Sequence, residues 1–148
     1  MRVVQLPFVS VARHYIEPLL EAHFREVGNT AVYQLAPDWD KYQDINHAGN
    51  LITLVALTEE DECVGYSVSF LTPHVHYVRQ RICYNDVLFV SRDYRTGSAG
   101  GRLLNATVAH AREAGATVMQ WHAKPNTALD QLLSKRMPIF EHAYAQSL

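Results

Sequence analysis

The chain has 148 residues, of which 48% are hydrophobic, 10% aromatic and 19% charged, and its formal net charge at pH 7 is −2. This length predicts one domain over residues 1–148, and the apolar fraction excludes a disordered chain. No apolar run approaches the roughly 20 residues of a membrane helix, and a pI near 6.4 argues against a dedicated nucleic-acid-binding protein. Because the first residues also lack a signal-peptide pattern, we expect a cytoplasmic protein with no membrane partner.

The first fifty residues predict a strand followed by two helices. Residues 2–8 are expected to form the strand, and an apolar stripe at three- and four-residue steps predicts a helix from Ser10. Gly28 is expected to close this helix in a left-handed conformation. Pro18 either kinks the helix or starts its second half. A second short helix is predicted around residues 39–45.

Four apolar segments then predict an antiparallel meander. They cover residues 51–57, 63–71, 74–83 and 86–90, with Thr72-Pro73 as an interruption after the second segment. These residues favour sheets, and charged or turn-forming residues separate the first two segments.

The architecture changes after residue 90. A helix at residues 101–114, stopped by Gly115, precedes a strand at 117–123, a further helix around 129–133 and a last strand at 140–147. This order predicts a mixed sheet with a crossover helix on one face, in an α/β or α+β domain.

A glycine-rich loop lies at the junction between the strand at 86–90 and the next helix. Gly97, Gly100 and Gly101 fall there, and Arg95 adds a positive charge. A helix start has unpaired N–H groups and a positive dipole end, which attract phosphate. The spacing matches neither a Walker loop nor a dinucleotide-binding loop. The loop is therefore either a pyrophosphate site or an ordinary turn into a helix.

The sequence around this loop resembles the coenzyme A loop of the GNAT N-acyltransferase superfamily. The family pattern is Arg/Gln-x-x-Gly-x-Gly/Ala after an apolar strand. Arg95 matches its first position and Gly100 its last, whereas Ser98 stands where a glycine is usual. Tyr94 before the loop and Leu103-Leu104 after it also resemble the family. The resemblance in motifs covers about residues 86–133, and the first half of the chain matches only in pattern.

The resemblance implies a GNAT-like fold: a mixed, largely antiparallel sheet of six to seven strands with helices on both faces. The strands at 86–90 and 117–123 are then expected to splay apart and admit the thioester arm of acetyl-CoA. The residues implied to bind it are Leu88, Phe89 and Val90 through their backbone, Arg95, Thr96, Gly97, Ser98, Ala99, Gly100 and Gly101 in the loop, and Asn126 near the pantetheine.

Asp86 is the candidate general base, because several enzymes of this family have a carboxylate at that position. By period-2 alternation it shares a face with Tyr84, Leu88 and Val90. The alternative is an aspartate that only caps a turn at the start of a strand.

The general acid is harder to assign from the sequence. The family often has a tyrosine seven positions after the asparagine that Asn126 matches, and Leu133 stands there. Tyr84 and Tyr144 are the possible substitutes for this proton donor.

Several other side chains have both a functional and a structural interpretation. His74 and His76, two apart on a predicted strand, and His122 are candidates for a metal site or catalysis, although ordinary histidines fit the pattern better and no metal is expected. Cys63 and Cys83 show neither a disulfide framework nor zinc-site spacing, so reduced thiols are expected. Aromatic and acidic residues would suit a cationic amine or form a solvated helix; they are Trp39, Tyr42, Asp38, Asp40 and Asp44.

The sequence therefore predicts an acetyl-CoA-dependent N-acetyltransferase that acts on a primary amine by direct attack. One alternative is a non-catalytic module of the same fold that binds CoA or a protein partner. Another is an unrelated nucleotide-binding regulatory domain. Members of the family are often dimers, so a homodimer through a sheet edge at residues 140–147 is expected.

Overall fold

The computed structural model describes residues 1–6 and 9–147, and the side chain of Val9 is not described. The strands are β1 (Arg2–Gln5), β2 (Leu51–Leu57), β3 (Cys63–His74), β4 (Tyr77–Val90) and β5 (Val118–Trp121). The helices are α1 (Val9–Val27), α2 (Trp39–His47), α3 (Ala99–Glu113) and α4 (Ala128–Ser134), and a 3₁₀ turn covers Arg92–Tyr94.

The five strands form one mixed sheet in the order β1-β2-β3-β4-β5. Neighbours from β1 to β4 are antiparallel, as the predicted meander requires, and β4 and β5 are parallel. Helix α3 connects these two parallel strands, which confirms the predicted crossover.

Helices pack on both faces of the sheet. On one face, which we call the α1 face, Ala12 and Ile16 of α1 pack against Val55, Tyr66 and Phe89 of the sheet. On the opposite α3 face, the core is formed by α3 and the alternate sheet residues: Ile52, Leu54, Leu71, Cys83, Val90, Ala99, Leu103 and Ala111. Strand β2 is buried along its whole length because both faces are covered.

The prediction of six to seven strands is wrong, since the described residues form five. Residues 77–83 of the third predicted segment and the fourth segment, 86–90, belong to the single strand β4, and Thr72-Pro73 lies inside β3 instead of interrupting it. Residues 139–147 have no regular secondary structure, so the last predicted strand and the sheet edge expected to carry a dimer are absent. Of the first predicted strand, residues 2–5 are extended and residues 7 and 8 lie outside the described residues.

Two glycines directly follow the ends of helices or their last turn, each for a different physical reason. Gly115 follows α3 with a φ of +82°, the left-handed conformation that ends a helix. Gly28 does not have a positive φ, so the prediction for it is wrong. Instead, Phe24 leaves no room for a side chain at Gly28. A Cβ there would lie 2.3 Å from the carbonyl oxygen of Phe24 and 2.5 Å from the Phe24 ring. Helix α1 continues through Pro18.

Candidate active site

The outer edge of β4 is only partly paired with β5. Pairing runs from Ile82 opposite Val118 to Asn85 opposite Trp121, and in the described part of the chain it stops there. The last four residues of β4, 87–90, remain paired with β3 on the other side. Because β5 ends at Trp121, β4 has an open outer edge after Asn85, at the place where the family resemblance implies that the two strands splay apart.

Backbone groups of β4 alternate between β3 and this open edge. The Ser91 N–H donates to the Val64 carbonyl oxygen at 2.8 Å, which fixes the phase of the antiparallel ladder. By alternation the groups of Phe89 point to β3, whereas those of Leu88 and Val90 point to the opening. The Val90 carbonyl already accepts a hydrogen bond from Arg95 Nε at 2.7 Å. Leu88 thus offers a complete donor and acceptor pair to an extended ligand.

A β-bulge changes which side chains face the opening. Val87 pairs with Val68 and Asn85 with Ser69, so Asp86 is an extra residue on β4. As a result Asp86, whose charge acts on Tyr42 and Tyr66, and Val87 are directed to the α1 face, while Leu88 and Val90 pack on the α3 face. The predicted alternation, which placed Asp86 on the face of Leu88 and Val90, is wrong because of this bulge.

The side-chain amide of Asn85 links β3 and β4 by hydrogen bonds at the bulge. It is fully buried, and its Nδ2 lies 3.1 Å from the carbonyl oxygen of Val68 on β3 and 3.0 Å from that of Val87 on β4. The same nitrogen lies 2.9 Å from the hydroxyl oxygens of both Ser67 and Ser69. Its Oδ1 has no partner among the described residues. The amide therefore acts here as a hydrogen-bond donor that joins both sides of the bulge.

The carboxyl group of Asp86 lies among aromatic side chains. Partial burial raises its pKa above the ordinary value, and the nearby His122 opposes this rise. The His122 ring meets the Tyr84 ring edge to face, with centroids 4.2 Å apart. Burial, followed by the charge of Asp86, raises the pKa values of both Tyr42 and Tyr84. Asp86 is thus a carboxylate in partly apolar surroundings that suit a general base.

The glycine-rich loop ends in an uncapped helix start. Ser98 is the N-cap of α3, but its side chain makes no capping hydrogen bond, and the first bond of the helix runs from Arg102 N to the Ser98 carbonyl. The amides of the first turn are therefore available to an anion. A Cβ at Gly97 would meet nothing within 4 Å, and Gly97, Gly100 and Gly101 all line the cavity.

Arg95 connects the loop to its surroundings. Its two terminal nitrogens donate to the Glu26 carboxylate of α1 at 2.5 and 2.9 Å, and its guanidinium lies 5.4 Å from the centre of the Phe89 ring. The hydrogen bonds from Arg95 lower the pKa of Glu26. The charge of Arg95 is therefore largely balanced by Glu26, and its side chain joins α1, β4 and the loop.

One cavity of about 970 Å³ joins these features, a volume typical of a ligand site. At the loop end, Lys124 and Lys135 line the cavity together with the glycines. The other end, which we call the acceptor end, is lined by Tyr33, Gln34, Leu35, Trp39, Tyr42, Asp86 and His122.

His23 of α1, which the sequence pattern did not single out, also lines this cavity. Its Nδ1 is 2.7 Å from the Tyr66 hydroxyl oxygen, and its ring stacks on Phe89 with centroids 4.7 Å apart. Burial lowers the pKa of His23 to about 4; Glu26 opposes this shift and Arg95 adds to it. A histidine on the apolar stripe of α1, three residues after Leu20, is the signal that would have identified it.

We expect His23 to make stability depend on pH. Its folded pKa of about 4 lies below the ordinary 6.5, so the unfolded chain binds more protons between these pH values. The free energy of unfolding therefore falls as the pH is lowered through this window, by up to about 1.4 kcal/mol per pH unit. Urea denaturation between pH 7 and 4 measures it.

The variant His23→Gln is the comparison for this experiment, since its amide keeps a hydrogen-bonding group near Tyr66. The variant should lose stability less steeply than the wild type between pH 6.5 and 4. Parallel curves for the two proteins would assign the acid sensitivity to other groups.

Three residues considered in connection with the family resemblance, Asn126, Leu133 and Tyr144, differ in how close they lie to the cavity. Asn126 has a φ of +64° and donates its N–H to Asp130, and its neighbours Pro125 and Thr127 line the cavity. Leu133 is buried, whereas Tyr144 is 91% exposed. Tyr144 therefore stays a prediction without a contact to the cavity among the described residues.

The paired histidines lie at the tip of the β3–β4 hairpin. His74 ends β3 and His76 is in the turn, so they do not share a strand face as predicted. In residues 1–6 and 9–147, no group of three or more His, Cys, Asp or Glu side chains is arranged to hold a metal ion. Cys63 and Cys83 are free thiols. No helix in the described part of the chain has the length and apolarity needed to cross a membrane.

Comparison with known proteins identifies relatives of the chain. A model of the acetyltransferase (GNAT) family matches residues 13–137, whereas a search of curated proteins gave no match. An aminoglycoside acetyltransferase from an uncultured soil metagenomic sample, solved with sisomicin, is 22% identical, with a TM-score of 0.72 over 99% of this chain and 96% of its own.

Two further solved structures are similar over the whole chain. A ribosomal-protein-alanine N-acetyltransferase from Brucella melitensis biovar Abortus 2308 is 16% identical, with a TM-score of 0.73 over 100% of both chains. An acetyltransferase from Trypanosoma brucei is 14% identical, with a TM-score of 0.71 over 99% of both chains. At these identities the likeness shows a shared fold.

Proposed function

Because the chain belongs to the acetyltransferase (GNAT) family, we propose that it transfers the acetyl group of acetyl-CoA to the nitrogen of a primary amine. The observation that carries the proposal is the opening between β4 and β5, with Asp86 on its wall and the uncapped start of α3 at its other end. A thioester arm laid in this opening would bring its carbonyl carbon close to Asp86.

The residues at the opening fit a thioester with an anionic end. Leu88 offers backbone groups to an extended amide-containing arm, as a neighbouring strand would. The first-turn amides of α3 suit a pyrophosphate, and Lys124 and Lys135 add positive charge at the same end. We assign Thr96, Gly97, Ser98, Ala99, Gly100 and Gly101 to the phosphates, and Phe89 and Arg95 to support of the strand and the loop.

Asp86 is proposed as the general base. A neutral amine must attack the thioester carbonyl, and at neutral pH an alkylamine is protonated, so a carboxylate next to the opening favours reaction by taking up the proton. The desolvation that raises the pKa of Asp86 makes it a better proton acceptor. Tyr84, which packs against His122, is proposed to position this side of the site.

Acetyl transfer can proceed in this arrangement without a dedicated general acid. A thiol has an ordinary pKa of about 8.5, so a thiolate leaves readily near neutral pH and can take its proton from water. A CoA-binding module without turnover is the second candidate function, and the buried Leu133 at the position of the family's usual tyrosine favours it. The two functions differ in thiol release when amines are added.

Titration calorimetry with acetyl-CoA, CoA and 3′,5′-ADP tests the first part of the proposal. We expect micromolar binding of acetyl-CoA that depends on the pantetheine arm, so 3′,5′-ADP should bind more weakly. Equal binding of acetyl-CoA and 3′,5′-ADP would indicate a nucleotide site instead. An absence of binding up to about millimolar would overturn the assignment of the loop.

The loop itself is tested by Gly97→Glu. A side chain at this position meets open space, so the fold should tolerate it, while its negative charge repels phosphates. We expect acetyl-CoA affinity to fall by about tenfold or more with little change in melting temperature. Gly97→Gln has the same size without the charge and should lose much less affinity. Equal losses in both variants would point to steric blocking.

A further inference from the structure

The acceptor end of the cavity has mainly aromatic and apolar walls. Trp39 and Tyr42 of α2 are neighbours with ring centroids 5.8 Å apart, and Tyr42 stacks on Phe70 at 6.0 Å, which holds its ring in place. Tyr33 and Leu35 line the cavity from the segment between α1 and α2. A ligand group that enters here loses water and meets flat apolar surfaces.

One of the two carboxylates that line this cavity is neutralised by arginine. Among its described lining residues the acidic ones are Glu26 and Asp86. Glu26 is bound by both terminal nitrogens of Arg95, with Arg92 at 4.0 Å. Asp86 makes no salt bridge in the described part of the chain, so it is the carboxylate available to a cation.

The acidic residues of α2 do not add to this charge. Asp38 accepts a hydrogen bond from the Lys41 N–H and caps the helix. Asp40 and Asp44 are exposed and are absent from the described cavity lining. Of the residues predicted to suit a cationic amine, Trp39 and Tyr42 therefore face the cavity, whereas Asp40 and Asp44 face solvent.

The cavity therefore provides for one ammonium group. An aromatic face also attracts cations, but the guanidinium of Arg13 already lies 5.2 Å from the centre of the Trp39 ring. A second ammonium on the ligand would lose hydration without gaining a carboxylate, which is unfavourable.

We infer that the acceptor is a monoamine with an apolar body, such as an arylalkylamine, and that polyamines and aminoglycosides are poor acceptors. This inference rests on the proposed acetyl transfer. The bound ammonium first gives one proton to Asp86, and the neutral nitrogen then forms a bond to the thioester carbonyl carbon while the carbon–sulfur bond breaks. The second proton lost by nitrogen passes through water to the departing thiolate, and Asp86 returns its proton to solvent, which leaves an N-acetyl amide, free CoA and one released proton.

The test uses three amines with acetyl-CoA and the full chain, followed by release of CoA thiol. Benzylamine carries one ammonium on an apolar ring, and 1,4-bis(aminomethyl)benzene adds a second ammonium to the same ring. Ethanolamine keeps one ammonium without the apolar body. We expect kcat/KM for benzylamine to exceed both others by about tenfold or more. Spermidine and sisomicin should be poorer still.

A gain-of-function variant makes the test independent of losses in folding. Gln34 lines the acceptor end and is exposed, so Gln34→Glu adds a carboxylate of equal size. The ratio of kcat/KM for the diamine to that for benzylamine should rise about two- to fivefold.

Three results would overturn the inference. They are a preference for the diamine, spermidine or sisomicin over benzylamine, a tenfold preference for an alanine-initiated peptide, and an unchanged ratio in Gln34→Glu. Failure of the proposed function is distinguishable, because thiol release would then be absent with every amine. If acetyl-CoA still binds in calorimetry, the transfer and the inference both fail and the CoA site stands. If it does not bind, the cofactor assignment fails as well.

Discussion

Asp86→Asn should lower kcat/KM for amine acetylation by about 10²- to 10⁴-fold, while acetyl-CoA still binds with unchanged affinity. The amide has the shape of the carboxylate but cannot take the proton from the attacking nitrogen. Asp86 is the extra residue of the bulge in β4, and no described side chain depends on it for a hydrogen bond. The substitution should therefore remove catalysis without disturbing the sheet.

Thiol release measured against pH checks this prediction beyond a loss of rate. Desolvation raises the pKa of Asp86, and the base works only when deprotonated, so kcat should fall as the pH drops through this raised pKa. In Asp86→Asn the acidic limb should disappear. Asp40→Asn, on the exposed side of α2, is the matched control and should keep the wild-type profile. Unchanged turnover in Asp86→Asn would remove Asp86 as the base.

Asn85→Leu should lower the free energy of unfolding by about 2–4 kcal/mol and reduce turnover as well. Leucine has nearly the same volume but no N–H donor, so the carbonyls of Val68 and Val87 and the hydroxyls of Ser67 and Ser69 lose a buried partner. Without this bridge the bulge loses its fixed geometry, and Asp86 loses its orientation toward the cavity. Urea denaturation and thiol release measure the two effects.

Thr107→Val is the control that distinguishes a role of Asn85 in orienting Asp86 from a role in stability alone. Thr107 is fully buried on α3 and donates to the Ser67 hydroxyl or the Leu103 carbonyl, but it does not contact the bulge carbonyls. This variant should lose about 1 kcal/mol and keep its kcat. If Asn85→Leu, corrected for its unfolded fraction, has a wild-type kcat, then Asn85 has only a structural role.

The sequence was most informative where structure depends on local pattern. The bounds of β2, the crossover through α3 and the loop at residues 95–101 follow from apolar runs, helical stripes and glycines. It failed at Asn85, which divides the apolar pattern of β4 because asparagine disfavours strands. In the fold, two serines on the neighbouring strand and two backbone carbonyls surround its amide. Three of these four partners lie 16 to 18 residues away along the chain, so a local sequence pattern does not include them.

In the candidate site, too, local sequence features could be predicted and contacts between distant residues could not. Asp86 and the loop could be proposed as site residues from the family resemblance, but the predicted phase of β4 was wrong because one extra residue reverses every later side chain. The pairing of Arg95 with Glu26 joins residues 69 apart, and the contact of His23 with Tyr66 joins residues 43 apart. Such contacts are set by the packing of α1 on the sheet, which no local pattern encodes.

The open edge of β4 also bears on how the protein avoids aggregation. An exposed strand edge is a template on which other chains can add strands and assemble. Here the unpaired groups of Leu88 lie inside a cleft, and residues such as Lys124, Pro125 and Leu132 form the facing wall. A narrow extended arm fits such a cleft, whereas a strand from another molecule, with side chains on both of its faces, meets that wall. The facing wall thus protects the unpaired part of the sheet from edge-to-edge association.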